Sequence, residues 1–162
     1  MAKTLVVLRH AKSGWPDGVA DHDRPLSGRG RRDAPAVGRW LREQGIVVEL
    51  AVVSSARRAR ETFDLAAAEL DRAPKPLITD TVYGASTGEL LDTVRELPAR
   101  VRVALLVGHN PSIGMLAAVL DDRSRGALEF KTSAVAIYDV GPTWPEVNPG
   151  SARLLASALP RG

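Results

Sequence analysis

No cysteine occurs in this 162-residue chain. That excludes a disulfide framework, a thiolate-held metal and a cysteine nucleophile, and it suits a reducing compartment. Long apolar runs are missing too: Leu5-Val6-Val7-Leu8 is far short of the ~20 residues that cross a bilayer. Met1-Ala2-Lys3-Thr4 leads into that run without the pattern of a secretory signal. The expectation is a cytoplasmic protein with no membrane partner. Aromatic residues make up only 4% of the chain, which leaves few rings for stacking single-stranded nucleic acid. The net charge is +3, because 22 basic residues are interleaved with 19 acidic ones. A solvated, arginine-rich surface accounts for it, and nucleic acid is not an expected partner. Three catalytic signatures are absent: His-Glu-x-x-His, Gly-x-Ser-x-Gly, and a phosphate-binding loop ending in Gly-Lys-Ser/Thr.

What is present is an ordinary globular composition, 44% hydrophobic and 25% charged, with length for one domain. Apolar runs of strand length fall at 4–9, 50–54, 76–79 and 103–107. Helical spacing separates them. Val37, Trp40 and Leu41 share one face of a first helix, with Pro35 predicting either a kink or a start at Asp33. A second helix is expected over 56–71, with Phe63, Ala66, Ala67 and Leu70 inward. A third spans 87–97 with Thr87 as cap, and a fourth spans 111–120 with Asn110 as cap. Two further strands, 134–140 and 152–158, flank a short connection rich in Pro and Gly, which predicts an antiparallel edge. The fold class is therefore α/β, a three-layer α/β/α sandwich around a mostly parallel sheet.

In such sheets ligands bind outside the carboxyl ends of the strands. The first strand ends in Arg9-His10. The second ends in Ser54-Ser55 and leads to Arg57, Arg58 and Arg60, and the fourth ends in Gly108-His109-Asn110-Pro111. Two of the three histidines thus lie at equivalent edges of one sheet, beside guanidinium groups. Arginine neighbours repel a metal cation, and no paired-histidine spacing supports one. The set suits a phosphoryl group instead: forked guanidinium donors and the helix N-terminus after His109 can clamp a dianion. A neutral imidazole can then attack phosphorus. His22, in Asp21-His22-Asp23-Arg24, reads either as a substrate-contacting loop residue or as a plain exposed one. Trp15 is a candidate for the pocket rim and Trp40 for the core.

With those residues in place, the chain resembles the histidine phosphatase superfamily, of phosphoglycerate-mutase-like fold, and within it the small SixA-type phosphohistidine phosphatases. The resemblance rests on Leu8-Arg9-His10-Ala11-Lys12-Ser13, then Arg24-Pro25-Leu26-Ser27 with Gly30, then Ser54-Ser55-Ala56-Arg57-Arg58-Ala59-Arg60-Glu61-Thr62. Tyr83-Gly84-Ala85 and Val107-Gly108-His109-Asn110-Pro111 follow in the family's order. It implies that residues 1–162 form one domain without a cap insertion, and that no cofactor or metal is needed. By it His10 is phosphorylated during turnover, Arg9 and Arg58 hold phosphate oxygens, and His109 donates to the transferring group. Arg57 competes locally with Arg58, but the two point about 100° apart on a helix, and the Arg-Ala-x-x-Thr match favours Arg58.

The chain departs from the family pattern in three places. Ala11 replaces a usual glycine, which an alanine tolerates while φ stays negative. Pro16 stands where many relatives carry a phosphate-binding asparagine, so Lys12, Ser13 or backbone amides are the replacement donors, with Asn110 a further binding candidate. Asp80-Thr81-Val82-Tyr83-Gly84 carries no glutamate where larger relatives place a general acid. Asp80 and Tyr83 are the nearest groups to assist. An alkoxide needs that acid and an imidazole does not, which favours phosphohistidine in a protein as substrate. The alternatives are a small-molecule phosphomonoesterase of the same superfamily and a catalytically silent phosphate-binding module.

Overall fold

The computed structural model describes residues 2–124 and 129–162. The strands are β1 (Thr4–Arg9), β2 (Leu50–Ser54), β3 (Leu77–Thr79), β4 (Val103–Gly108), β5 (Val135–Asp139) and β6 (Arg153–Ala158). They form one sheet in the order β3-β2-β4-β1-β5-β6. The first four run parallel, β5 pairs antiparallel with β1, and β6 closes the edge antiparallel to β5. The helices are α1 (Gly28–Glu43), α2 (Arg57–Ala67), α3 (Thr87–Arg95) and α4 (Ser112–Leu120). Strand residues alternate between two cores. Leu5, Val7, Val52 and Leu106 pack with α3 and α4 on one face. Val6, Leu8, Val53 and Val107 pack with Val37, Leu41 and Phe63 of α1 and α2 on the other. The three-layer expectation holds.

Helix ends are where the sequence expectations need correction. α1 begins at Gly28 rather than Asp33 and runs through Pro35. Ser27 sets the start, its hydroxyl accepting the Gly30 amide, so Pro35 lies well inside the helix and one hydrogen bond is forgone. The early start also needs glycine. A Cβ on Gly30 would fall 2.0 Å from the Lys12 carbonyl oxygen, and one on Gly38 would fall 2.0 Å from that of Ala66. These contacts set how closely α1 lies against the loop after β1 and against α2. α2 stops at Ala67, short of 71. Ser86, not Thr87, caps α3, in a reciprocal pair with Glu89. α4 starts at Ser112, with Pro111 rather than Asn110 in the cap position. Trp40 is half-buried against the α1–α2 core.

Candidate active site

The register of the central strands builds the site. Arg9 of β1 pairs with Gly108 of β4, so His10 and His109 are the next residues on adjacent parallel strands. The His10 amide donates to the Gly108 carbonyl at 3.1 Å, and the two imidazole centroids are 5.1 Å apart. From the other side, the Ser133 amide steadies His10 by donating to its carbonyl at 3.1 Å. Val53 pairs with Val107, which places Ser54 beside the same edge, and its Oγ lies 2.7 Å from His109 Nε2.

Arg58 comes from the first turn of α2 and is 6% exposed, whereas Arg57 faces solvent and pairs with Glu61 at 3.5 Å. Thr62, one turn further on, ties that helix to the loop after β1. Its hydroxyl accepts the Ala11 amide at 2.9 Å and donates to the Arg58 carbonyl at 2.7 Å. Ala11 is fully buried, and Ser133 alone among the described non-glycine residues has a positive φ. The loop after β1 therefore accepts alanine there without left-handed strain. Arg9 Nη1 donates to the Phe130 carbonyl at 3.2 Å.

Burial sets the protonation of the two imidazoles. His10 is 6% exposed, and burial pulls its pKa down to about 3. The hydrogen bond to Ala11 opposes that shift, while His109, Arg58 and Arg9 add to it. At neutral pH the ring is neutral, and its Nδ1–H donates to the Ala11 carbonyl at 2.7 Å. Nε2 then carries the free lone pair. His109 is likewise held to about 4, first by burial and then by Arg58. The Ser54 hydroxyl accepts the Ala56 amide and has its own proton to give His109 Nε2, which leaves the hydrogen on Nδ1. That Nδ1, together with Nε of Arg9 and Nε of Arg58, is buried without a hydrogen-bond partner among the described residues. Three such donors, on residues whose charges are felt by the neutral His10 ring, suit a tetrahedral oxyanion. Among the described residues, no group of three or more His, Asp or Glu side chains is placed to hold a metal ion.

Burying His10 in neutral form has a cost in acid. The unfolded imidazole takes a proton below about pH 6.5, and the folded one refuses it until about 3, so stability is full above that window and declines through it. Between pH 7 and pH 5 the loss from His10 is about 2 kcal/mol. Urea midpoints should fall over that range in the wild type and fall less in His10→Asn. Equal slopes would contradict the account.

The remaining sequence candidates make contacts of other kinds. The Lys12 side chain is exposed, and it is the Lys12 carbonyl that works structurally, accepting from Ser27. Ser13 is buried, with its Oγ accepting from Arg24 Nη1 at 3.0 Å. Asn110 spends both ends of its side chain on the fold: Oδ1 accepts the Gly114 amide and Nδ2 donates to the Phe130 carbonyl. The Ile113 amide is bonded to the His109 carbonyl. These two α4 amides are thus already used by the chain, which weakens the expected role of that helix terminus as an anion clamp. Trp15 is 75% exposed and stacks over Arg24, 3.5 Å from guanidinium carbon to ring centroid.

Sequence reasoning singled out His22 and Tyr83 but missed Asp21, which ties this rim together. Asp21, at the head of a 3₁₀ turn (Asp21–Asp23), accepts hydrogen bonds from Arg58, Arg24 and Tyr83. Tyr83 is edge-on to His109, with centroids 5.7 Å apart, and edge-on to His22 at 4.8 Å. His22 Nε2 is hydrogen-bonded with Ser55 Oγ at 2.9 Å, so this histidine stands at the rim rather than in a remote loop. The Asp-His-Asp-Arg run was the available signal, but nothing local in it specifies partners 33 to 62 residues away.

The histidine phosphatase superfamily (branch 1) profile matches residues 5–129, and the chain belongs to that superfamily. Family and fold together mark it as a phosphatase-type hydrolase. An uncharacterized protein of Mycobacterium tuberculosis is 38% identical over 162 residues, covering 95% of this chain and 100% of the relative. A solved structure from Nakamurella multipartitia, named as a candidate phosphohistidine phosphatase SixA, is 30% identical with a TM-score of 0.87. It covers 99% of this chain and 97% of its own. The protein histidine phosphatase SixA, solved with tungstate, shares the fold at 22% identity and TM-score 0.82, covering 97% of both chains. No helix among the described residues is long and apolar enough to cross a membrane.

Proposed function

We propose that the chain is a metal-independent phosphatase that hydrolyses phosphohistidine in proteins by two displacements through His10. The observation that carries this reading is the neutral His10 ring, its Nδ1 tied to the Ala11 carbonyl, set among the partnerless donors of Arg9, Arg58 and His109. In the first step His10 Nε2 bonds to phosphorus, and the bond from phosphorus to the substrate imidazole breaks. The departing ring leaves already protonated. In the second step water attacks phosphorus, the bond to His10 Nε2 breaks, and inorganic phosphate is released. Arg9, Arg58 and His109 hold the equatorial oxygens, which is the protein's main contribution to phosphoryl transfer.

The choice of substrate rests on the groups around the leaving side. Asp21 is held at about 2, chiefly by the Tyr83 hydrogen bond, and is ionised at neutral pH. The same bond raises the Tyr83 pKa, making its hydroxyl a poorer acid. Asp80 is exposed. An alkoxide would depart unassisted, whereas an imidazole needs no acid. The resemblance to the candidate SixA protein of Nakamurella points the same way. Rates on a phosphohistidine peptide, p-nitrophenyl phosphate and an alkyl phosphate test the reading. The kcat/KM on phosphohistidine should exceed that on the alkyl ester by at least about 10²-fold. Equal or faster turnover of the alkyl ester selects the small-molecule reading, and vanadate binding without any turnover selects the silent module.

A further inference from the structure

A guanidinium carries five hydrogens in one plane, so the partners on one edge decide which edge remains for a ligand. Arg58 uses its end-on edge on a single residue: Nη1 donates to the Asp21 main-chain carbonyl at 2.8 Å, and Nη2 donates to Asp21 Oδ2 at 3.2 Å. That leaves the side-on pair, Nε–H and the second Nη2 hydrogen, and Nε is one of the partnerless donors beside His10. The Asp21 carboxylate is itself held. Tyr83 donates its hydroxyl to Oδ2 at 2.7 Å, and Arg24 Nε donates to Oδ1 at 3.1 Å. Arg24 is in turn fastened to Ser13 Oγ and lies under Trp15.

This bracket contributes little to stability. The Asp21 side chain is 50% exposed, and ion pairs at such sites are worth a fraction of a kcal/mol. What the bracket does fix is direction. A free arginine can turn about its last torsions and offer any edge. Gripped at both Nη ends, Arg58 presents only one.

Building on the phosphate-holding role proposed above for Arg58, we infer that Asp21 is a positioning residue: it grips the Nη ends of Arg58 and aims the Nε edge at the phosphoryl oxygens. Tyr83 and Arg24 keep the gripping carboxylate in place. Asp21 touches no reacting atom and acts through Arg58 alone.

A double-mutant cycle with Asp21→Ala and Arg58→Ala tests this, read by p-nitrophenyl phosphate kinetics, inhibition by inorganic phosphate, and Tm. Asp21→Ala should raise the phosphate inhibition constant and KM about tenfold. Tm should move by no more than about 2 °C. Asp21→Asn, which keeps one acceptor oxygen, should give a smaller loss and serves if the alanine variant folds poorly. In the Arg58→Ala background, removing Asp21 should change nothing further. A loss of the same size in both backgrounds, or none in the wild type, overturns the inference. Arg58→Ala leaving phosphate inhibition untouched would overturn the site reading beneath it as well. None of these readouts depends on phosphohistidine, so the substrate assignment stands or falls separately.

Discussion

His10→Ala is expected to lower turnover by about 10⁴-fold or more while leaving a folded protein that still binds phosphate. The step depends on one nitrogen, Nε2, kept unprotonated by burial and by the Nδ1–H bond to the Ala11 carbonyl. His109 cannot stand in for it, because its Nε2 is committed to Ser54. The oxyanion donors of Arg9 and Arg58 remain in the variant, so phosphate should still inhibit. The measurement is p-nitrophenyl phosphate hydrolysis together with trapping of labelled phosphate on the protein. Wild type should hold an acid-labile, base-stable phosphate, and the variant should hold none. Turnover by His10→Ala at the wild-type rate would rule out the covalent route.

Arg58→Ala should cost about 10³-fold in kcat/KM and weaken vanadate inhibition in parallel. Its guanidinium is buried in the cluster and already aligned by Asp21. A lost charge-assisted donor at a developing oxyanion is a transition-state loss that solvent does not make good. Arg57 provides the control. It is one residue away, yet it faces solvent and pairs with Glu61, so Arg57→Ala should change kcat/KM by less than about twofold. Equal losses from the two substitutions would mean that the wrong arginine has been placed in the pocket.

Much of this site could be read from the sequence because it hangs on strand ends. The apolar runs at Thr4–Arg9 and Leu50–Ser54 mark β1 and β2 to the residue. Once β1 and β4 are taken as parallel neighbours, His10 and His109 must meet. The choice of Arg58 over Arg57 followed from helical geometry and one motif. The start of α1 was hidden, because Pro35 looked like a first-turn residue and the true signal was the hydroxyl of Ser27. The part of Asp21, and the way the rim is tied together, were hidden for a different reason. Asp21, His22 and Tyr83 meet through single hydrogen bonds and ring edges across long stretches of chain, and no periodicity encodes those. Lys12 stands out because charge is visible in a sequence, whereas the exposure of its side chain is not.

The hydroxyl of Thr62 has a wider consequence. By bridging the Ala11 amide and the Arg58 carbonyl, it ties the loop that follows His10 to the helix that carries Arg58. The floor of the site is thereby one hydrogen-bonded unit. The border above it is assembled from short turns and half-open side chains. Substitutions on that border can change what docks there while leaving the two hydrogen bonds of Thr62 in place.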